Sequence, residues 1–481
     1  MTSPGTPKLE TPLDPRVHAR RWVILGVLCM SLLIIVMDNT ILNVAIPSMM
    51  NELGATNSQI QWIIDSYVLV FAGLLLTTGS ISDRFGRKGT LQLGIVLFGI
   101  GSVAAALAGS ANQLIACRAF MGIGGALIMP ATLSILMDVF RDPRERARAI
   151  GVWAGFSGLG IAIGPITGGF LLEHFDWSSV FWVNLPIGIL ALALGAFLVP
   201  TSRDPHQTKL DPIGALLSMI GLAALLFGII EGQPKGWTST EVITGFVVAA
   251  VALIGFVAWE LHTDHPMLDM SVFRNARFSA ASATITIVFF ALMGSMYLMT
   301  QYWQLVHGYS PLQAGVRLLP VAILMMVAAP QSARVVERIG TKRTVLLGLG
   351  LIAVGMGLIS LIEADTSYWN VMSRFLVMNL GMAMTMAPAT ESVMGSLPRE
   401  KAGVGSAIND TTRQVGGALG VGIIGSVVGG HWSSGIATAG RSAGLTDDAV
   451  ARAQESLARA MSEATALGNG AGAFVSEAKN T

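Results

Sequence analysis

The stretch GSISDRFGRKGTLQLG, residues 79–94, recurs as ARVVERIGTKRTVLLG, residues 333–348. Aligning Asp83 with Glu337 sets an offset of 254 residues. A second echo stands near the same offset. RAFMGIGGALIMP from Arg118 is repeated as RFLVMNLGMAMTMAP from Arg374, 256 residues on. Each echo falls on an even-numbered apolar run and the loop or run beside it. Two echoes at nearly one offset predict a chain of two homologous halves. In a membrane protein, parallel repeats about an axis along the membrane normal are a transporter architecture, with the substrate site between the halves.

Composition supports a membrane setting. Of 481 residues, 52% are hydrophobic and 12% charged, and mean hydropathy is +0.63. A soluble chain of this size carries roughly twice that charged fraction. The net charge of +1 gives no sign of a nucleic-acid partner. Cys29 and Cys117 both fall in apolar runs and read as free thiols. The seven His show no metal spacing.

Apolar runs of about 20 residues alternate with short charged loops, the pattern of a polytopic helical membrane protein. Thirteen spans are expected, near 22–49, 59–82, 89–108, 112–137, 149–172, 178–199, 211–231, 239–261, 278–305, 312–333, 344–362, 369–393 and 402–429. With the N-terminus in the cytoplasm, the inner segments hold 21 of the 30 Lys and Arg, and the outer loops hold only Lys235. That asymmetry orients the chain. The expected organisation is a cytoplasmic segment 1–21, a first half 22–199, two inserted helices within 200–261, a second half 262–429, and a polar extracytoplasmic tail 430–481.

Three motifs in the first half carry most information. In Gly79–Lys88, Asp83, Arg84, Arg87 and Lys88 make a charged inner loop, read either as a topogenic segment or as a conformational latch. In Leu114–Ala126, Arg118 interrupts an apolar span. In GIAIGPITGG, residues 160–169, closely spaced glycines let helix backbones touch, and Pro165 removes a backbone donor. Read alone, that third motif is tight packing.

Together these residues resemble the major facilitator superfamily, and more closely its fourteen-helix drug:proton antiporter branch, which includes quaternary-ammonium and multidrug exporters. The superfamily latch is matched by Gly79, Asp83, Arg84, Gly86, Arg87 and Lys88. The proton-coupling arginine of helix four is matched by Arg118. The antiporter signature of helix five is matched by Gly160, Gly164, Pro165, Gly168 and Gly169. The branch's helix-one motif is matched by Asp38, Thr40, Asn43, Ala45 and Pro47. DWSSVFWVNLPIG (176–188), HPMLDMSVF (265–273) and GSAINDTTRQVGGALG (405–420) also look like this branch. One departure stands out: the branch's last helix has no counterpart, and residues 445–468 read as a surface helix that cannot span.

Helix rise places Asp38 about 16 Å from the outer end of span one, and Arg118 and Asp65 each about 9 Å in. Asp38 is either a proton carrier tuned by Arg118 or half of a static ion pair. An unpaired Asp at mid-helix costs roughly 2.5–3.5 kcal/mol. Asp65 is either a hydrated interfacial residue or, as the resemblance implies, part of cation recognition, with Trp62 and Tyr67 nearby in sequence. Asp410 is either a second proton or cation site or a local pair with Arg413, three positions on. Position 292, opposite Asp38 in the repeat, is Leu, so the second half has no matching acid. Glu231, Glu260 and Glu391 lie near span ends and read as solvated.

The expected protein is therefore an all-α polytopic transporter of the major facilitator fold, with two six-helix-type halves and two helices between them. It is not an enzyme and needs no cofactor or metal. The expected function is proton-coupled efflux of amphiphilic drugs or toxic compounds, cations among them, by alternating access across the cytoplasmic (inner) membrane of a bacterium. Its partners are the small-molecule substrate, protons and the lipid bilayer. It is expected to work as a monomer. A dedicated exporter of an endogenous antibiotic or metabolite fits the same residues. A non-transporting truncated membrane protein is the alternative of another class.

Overall fold

The computed structural model describes residues 14–203, 211–363 and 365–442, with 446, 449 and 450. Of the expected tail helix 445–468, all but those three residues lie outside the described ones. The first half holds α1 (Pro15–Glu52), α2 (Asn57–Phe85), α3 (Arg87–Ala106), α4 (Ala111–Val139) and α5 (Pro143–His174). Its sixth crossing is broken into α6 (Ser179–Trp182) and α7 (Asn184–Leu198). Next come α8 (Pro212–Lys235) and α9 (Thr240–His262), packed on each other. The second half holds α10 (Ala276–Gln301), α11 (Pro311–Arg317), α12 (Leu319–Ile339), α13 (Thr341–Ile359), α14 (Tyr368–Met394) and α15 (Ala402–Ser442).

The repeat is visible in the packing. α1 pairs with α5 as α10 pairs with α15, and α2 and α3 flank α4 as α12 and α13 flank α14. The loop shared by the two echoes is one glycine in each half. Gly86 (φ 114°) joins α2 to α3, and Gly340 (φ 83°) joins α12 to α13. These positive φ values disfavour any residue with a Cβ. The face carrying these loops also carries the start of α1, and is called the basic face below.

Helix starts follow from capping side chains. Asp14 accepts from the Arg16 amide, and Asp142 accepts from the amides of Arg144 and Glu145. Thr56 and Gln59 form a reciprocal capping box. The Asp14-Pro15 start carries α1 seven residues beyond the expected 22, so the N-terminal segment is partly helical. There Arg21 forms a two-pronged pair with Glu145 at 2.8 and 2.9 Å. At the other end, α15 runs 13 residues past the expected 429, because its Ala, Gly and Ser sequence contains no proline.

Eleven helices are long and apolar enough to cross a membrane among the described residues. They match the first eleven expected spans. Of the expected twelfth and thirteenth, α14 is long enough at 27 residues but falls short in apolarity, and α15 is 41 residues long. Their polar positions Asn379, Thr390, Asn409, Asp410 and Arg413 are all buried inside the protein. The expectation that Glu231 and Glu260 are solvated is overturned. Both are 4% exposed, and Glu260 accepts the Leu268 amide at 3.0 Å.

Candidate functional site

Five helices of the first half converge on Asp38. The residue sits in mid-α1 and is fully buried, as is Arg118 on α4. Arg118 Nη1 donates to Asp38 Oδ2 at 2.5 Å. Asn184, the first residue of α7, donates to Asp38 Oδ1 at 2.9 Å and to Ser102 Oγ of α3 at 3.1 Å. Ser102 donates in turn to the Phe181 carbonyl at 2.8 Å. From α2, the Ile63 carbonyl accepts from Arg118 Nε at 3.3 Å. The Tyr67 ring lies under the guanidinium, 4.4 Å from its centre. Arg118 Nη2 and the Tyr67 hydroxyl have no partner. A buried pair this well bonded avoids the cost of an isolated charge. The two spare polar atoms leave the network able to rearrange.

Glycines bring α1 against α5 at this level. A Cβ on Gly160 would meet Val36, one on Gly164 would strike Thr40, and one on Gly168 would meet Ile41. The Thr40 hydroxyl reaches the Gly160 carbonyl at 3.3 Å. Gly169 faces the other way, onto Leu312, and Pro165 lies against Gly315 of α11. The fifth helix thus serves both halves.

Asp65 does not join the pair. Ile63 and Tyr67, four apart, share the α2 face that holds Arg118. Asp65 lies between them in sequence and so projects elsewhere. Trp62, three positions from Asp65, packs against Phe227 of α8 at 6.3 Å. Asp65 Oδ2 is buried without a partner. The three residues grouped as a recognition set therefore divide: Tyr67 belongs to the ion pair, and Trp62 looks toward an inserted helix.

The latch residues pin the halves together at the basic face. Asp83 accepts the Gly403 and Val404 amides of α15 at 2.8 and 3.1 Å. A Cβ on Gly79 would meet the Gly403 carbonyl, so the helices touch there. Arg87 binds Asp83 at 2.8 Å and also Asp138, and donates to the Arg399 carbonyl at 2.6 Å. Lys88 reaches the Ala196 carbonyl at 2.7 Å, within its own half. Arg84 lies over Phe85 at 5.4 Å. Beside this cluster, Arg146 of α5 grips Glu391 of α14 at 2.6 Å. Glu391 is thus paired, not solvated.

In the second half, Asp410 is 1% exposed, and Arg413 Nη1 stands 4.0 Å from its Oδ1. Asn409 donates to Oδ1 at 3.2 Å. Arg413 Nη2 reaches Thr390 Oγ1 at 3.3 Å.

The sequence reading missed Asn184, Ser102, Asp138 and the Arg146–Glu391 pair. One signal was available: Asn184 is the only Asn in the sixth apolar run. A third echo also went unread. PATLS at 130–134 returns as PATES at 388–392, placing Thr132 and Thr390 at matching positions.

An all-helical chain of two repeat-related halves, with α8 and α9 between them and a charged latch joining them, has the architecture of a membrane transporter. The chain belongs to the Major Facilitator Superfamily, whose profile matches residues 28–421. It is 34% identical over 457 residues to the multidrug efflux pump LfrA of Mycolicibacterium smegmatis, covering 95% of this chain and 90% of that one. It is 33% identical over 416 residues to the tetracenomycin C resistance and export protein of Streptomyces glaucescens, covering 85% and 76%. In fold it is similar to the human organic anion transporter MFSD10, with a TM-score of 0.62 at 16% identity, covering 97% of this chain and 99% of that one.

Proposed function

We propose that this chain is a proton-coupled antiporter that exports amphiphilic drugs or toxic compounds across a bacterial cytoplasmic membrane. The observation that carries the reading is the fully buried Asp38–Arg118 pair with its unpartnered Arg118 Nη2 and Tyr67 hydroxyl. The guanidinium balances the carboxylate charge while the pair is closed, so opening the pair is the step that calls for a proton in the proposed cycle. Relatives named for multidrug efflux and for antibiotic export support the direction of transport. The inserted α8 and α9 support membership of the fourteen-helix branch.

The remaining residues take roles in one cycle. The α5 glycines let α1 slide and carry Asp38 relative to Arg118. Gly79, Asp83, Arg87 and Lys88, with Gly86 and Arg84 at the turn, lock the basic face, and the Lys and Arg distribution supports reading that face as the cytoplasmic one. Asp410 carries a second proton or cation in the other half. Trp62 and Asp65, at the α2–α8 seam, meet cationic substrates. One proton falling through 100 mV supplies about 2.3 kcal/mol, enough for roughly a fifty-fold gradient of a neutral substrate.

The test is ethidium export from proteoliposomes under an imposed pH gradient. The native chain accumulates dye against its gradient, and Asp38→Asn does not. Undiminished coupled transport in Asp38→Asn ends the proposal. The tetracenomycin relative favours a second reading, a dedicated exporter of one antibiotic-like metabolite. A panel of dyes and polyketides separates the two, since a dedicated exporter moves only one class.

A further inference from the structure

Arg413 is drawn toward a partner in the opposite half. Its guanidinium carbon lies 4.7 Å over the ring of Trp153, on α5, and 5.3 Å from Phe289, on α10. Trp153 is fully buried, and its Nε1 donates to Thr132 Oγ1 at 3.3 Å. On the other side, Arg413 is held by Thr390. The two repeat-related threonines thus bracket one cation–π contact that crosses between the halves. Meanwhile Asp410, three residues away, keeps its distance. The nearest nitrogen is 4.0 Å off, and both Asp410 Oδ2 and Arg413 Nε lack any hydrogen-bond partner. A buried guanidinium and carboxyl that do not close on each other leave both short of a direct partner, and the Arg413 guanidinium is stacked on Trp153 instead.

We propose that Arg413 is a positioning residue that ties the protonation of Asp410 to the contact between the halves, with Trp153 as its docking surface while the basic face is closed. This rests on the reading of Asp410 as a proton carrier. With the basic face locked, Arg413 stays on Trp153, and Asp410 holds a proton. Rocking that face open withdraws Trp153, which moves with the first half. Arg413 then closes on Asp410, and the proton leaves into the cytoplasm. The direction is that of an exporter driven by inward protons. Among the described residues, the buried Arg118 of α4, paired with Asp38 of α1, is the other interior charge, and the remaining charged groups on the surrounding helices sit toward the ends. Asp83 on α2, Asp138 on α4, Arg146 on α5, Arg277 on α10 and Glu391 on α14 lie toward the basic face. Asp65 on α2 and Glu231 and Lys235 on α8 lie toward the other. Arg413 is the charged side chain paired with Asp410, at 4.0 Å.

The experiment measures the pH profile of ethidium export by the full chain in proteoliposomes. Trp153→Leu frees Arg413 to remain on Asp410, so more acid is needed to protonate the carboxyl. The expected result is a shift toward acid of roughly tenfold in proton concentration, the size of a desolvated cation–π contact. Trp153→Phe keeps an aromatic face and recovers most of the native profile. Arg413→Gln moves the profile toward alkali and makes it insensitive to Trp153→Leu. If Trp153→Leu fails to insert, Arg413→Lys gives the second arm, because it keeps the charge and loses the planar stack. Its profile must also differ from native. Asp410→Asn separates the two ideas. A native profile in Asp410→Asn overturns the proton-carrier reading itself. A changed profile in Asp410→Asn, with native profiles in the Trp153 and Arg413 variants, overturns only the link and leaves a structural brace.

Discussion

At the scale of single residues, the buried Asp38–Arg118 pair separates stability from function. Breaking a buried pair from one side strands a charge and costs about 3–5 kcal/mol, while replacing both partners by apolar or neutral groups is often nearly neutral. Arg118→Ala is therefore expected to lower the thermal unfolding temperature in detergent sharply. The double variant Asp38→Asn with Arg118→Met is expected to recover most of that loss while exporting nothing against a gradient. Equal instability of the single and double variants would show that the pair is needed for folding itself. Asn184→Leu removes one hydrogen bond to a charged group, worth about 1.5–3 kcal/mol. It is expected to slow coupled export without abolishing it, read as initial dye rates. The Asp38–Arg118 meeting was legible because both are charges inside apolar runs of the first half, and the long Arg118 side chain covers the difference in depth that helix rise gives, about 16 against about 9 Å. Asn184 was not, because its approach depends on the rotation of α7 about its own axis and on the break at Val183. The same limit applied to Asp65: its depth was readable, but the face of α2 it occupies follows from the packing of Ile63 and Tyr67.

At the scale of elements, glycines set how closely helices approach, and two of them make a sharp comparison. Gly164 of α5 sits where a Cβ would run into the Thr40 hydroxyl, two residues from Asp38. Gly26 of α1 has nothing within 4 Å of its Cβ position. Gly164→Val is expected to spread α1 from α5 and stop export, whereas Gly26→Ala leaves export intact and adds about 0.5–1 kcal/mol of stability. Export assays and thermal unfolding of the two variants check this, and an active Gly164→Val would remove the glycine motif from the mechanism. The motif was readable as a packing stripe. Its division between α1 and α11 was not, since spacing along one helix does not say which neighbour each side touches. Helix ends were readable where a cap marks them, as at Asp142, and missed after residue 429, where no proline stops the chain although Gly and Ser are poor helix formers. The thirteen-span reading counted α14 and α15 by length, whereas their polar residues are tolerable because the protein itself covers them.

At the scale of the whole molecule, the repeat gave the two halves, but not how they are fastened. The bond from the Gly403 amide to Asp83 joins residues 320 apart, and no local pattern announces such a partner. The fastening at the basic face is made of charged and backbone groups, which water can replace when the face opens. A gate must have that property, because an apolar seal of the same size would resist reopening. Arg146 and Glu391 are the simplest member to test, since their side chains are 12% and 17% exposed and each comes from a different half. Arg146→Glu sets two carboxylates against each other and is expected to favour the open basic face. Spin labels at the exposed positions 144 and 338, placed in a Cys29→Ser, Cys117→Ser background, report the distance between halves. The distribution should lengthen in Arg146→Glu and return to the native one when Glu391→Arg is added, because the swapped pair restores the attraction. An unchanged distribution in Arg146→Glu would mean that the pair is an incidental contact and that the other bonds between the halves, those of Asp83 and Arg87 with the chain around the start of α15 and of Arg144 and Arg148 with Glu337, hold the face.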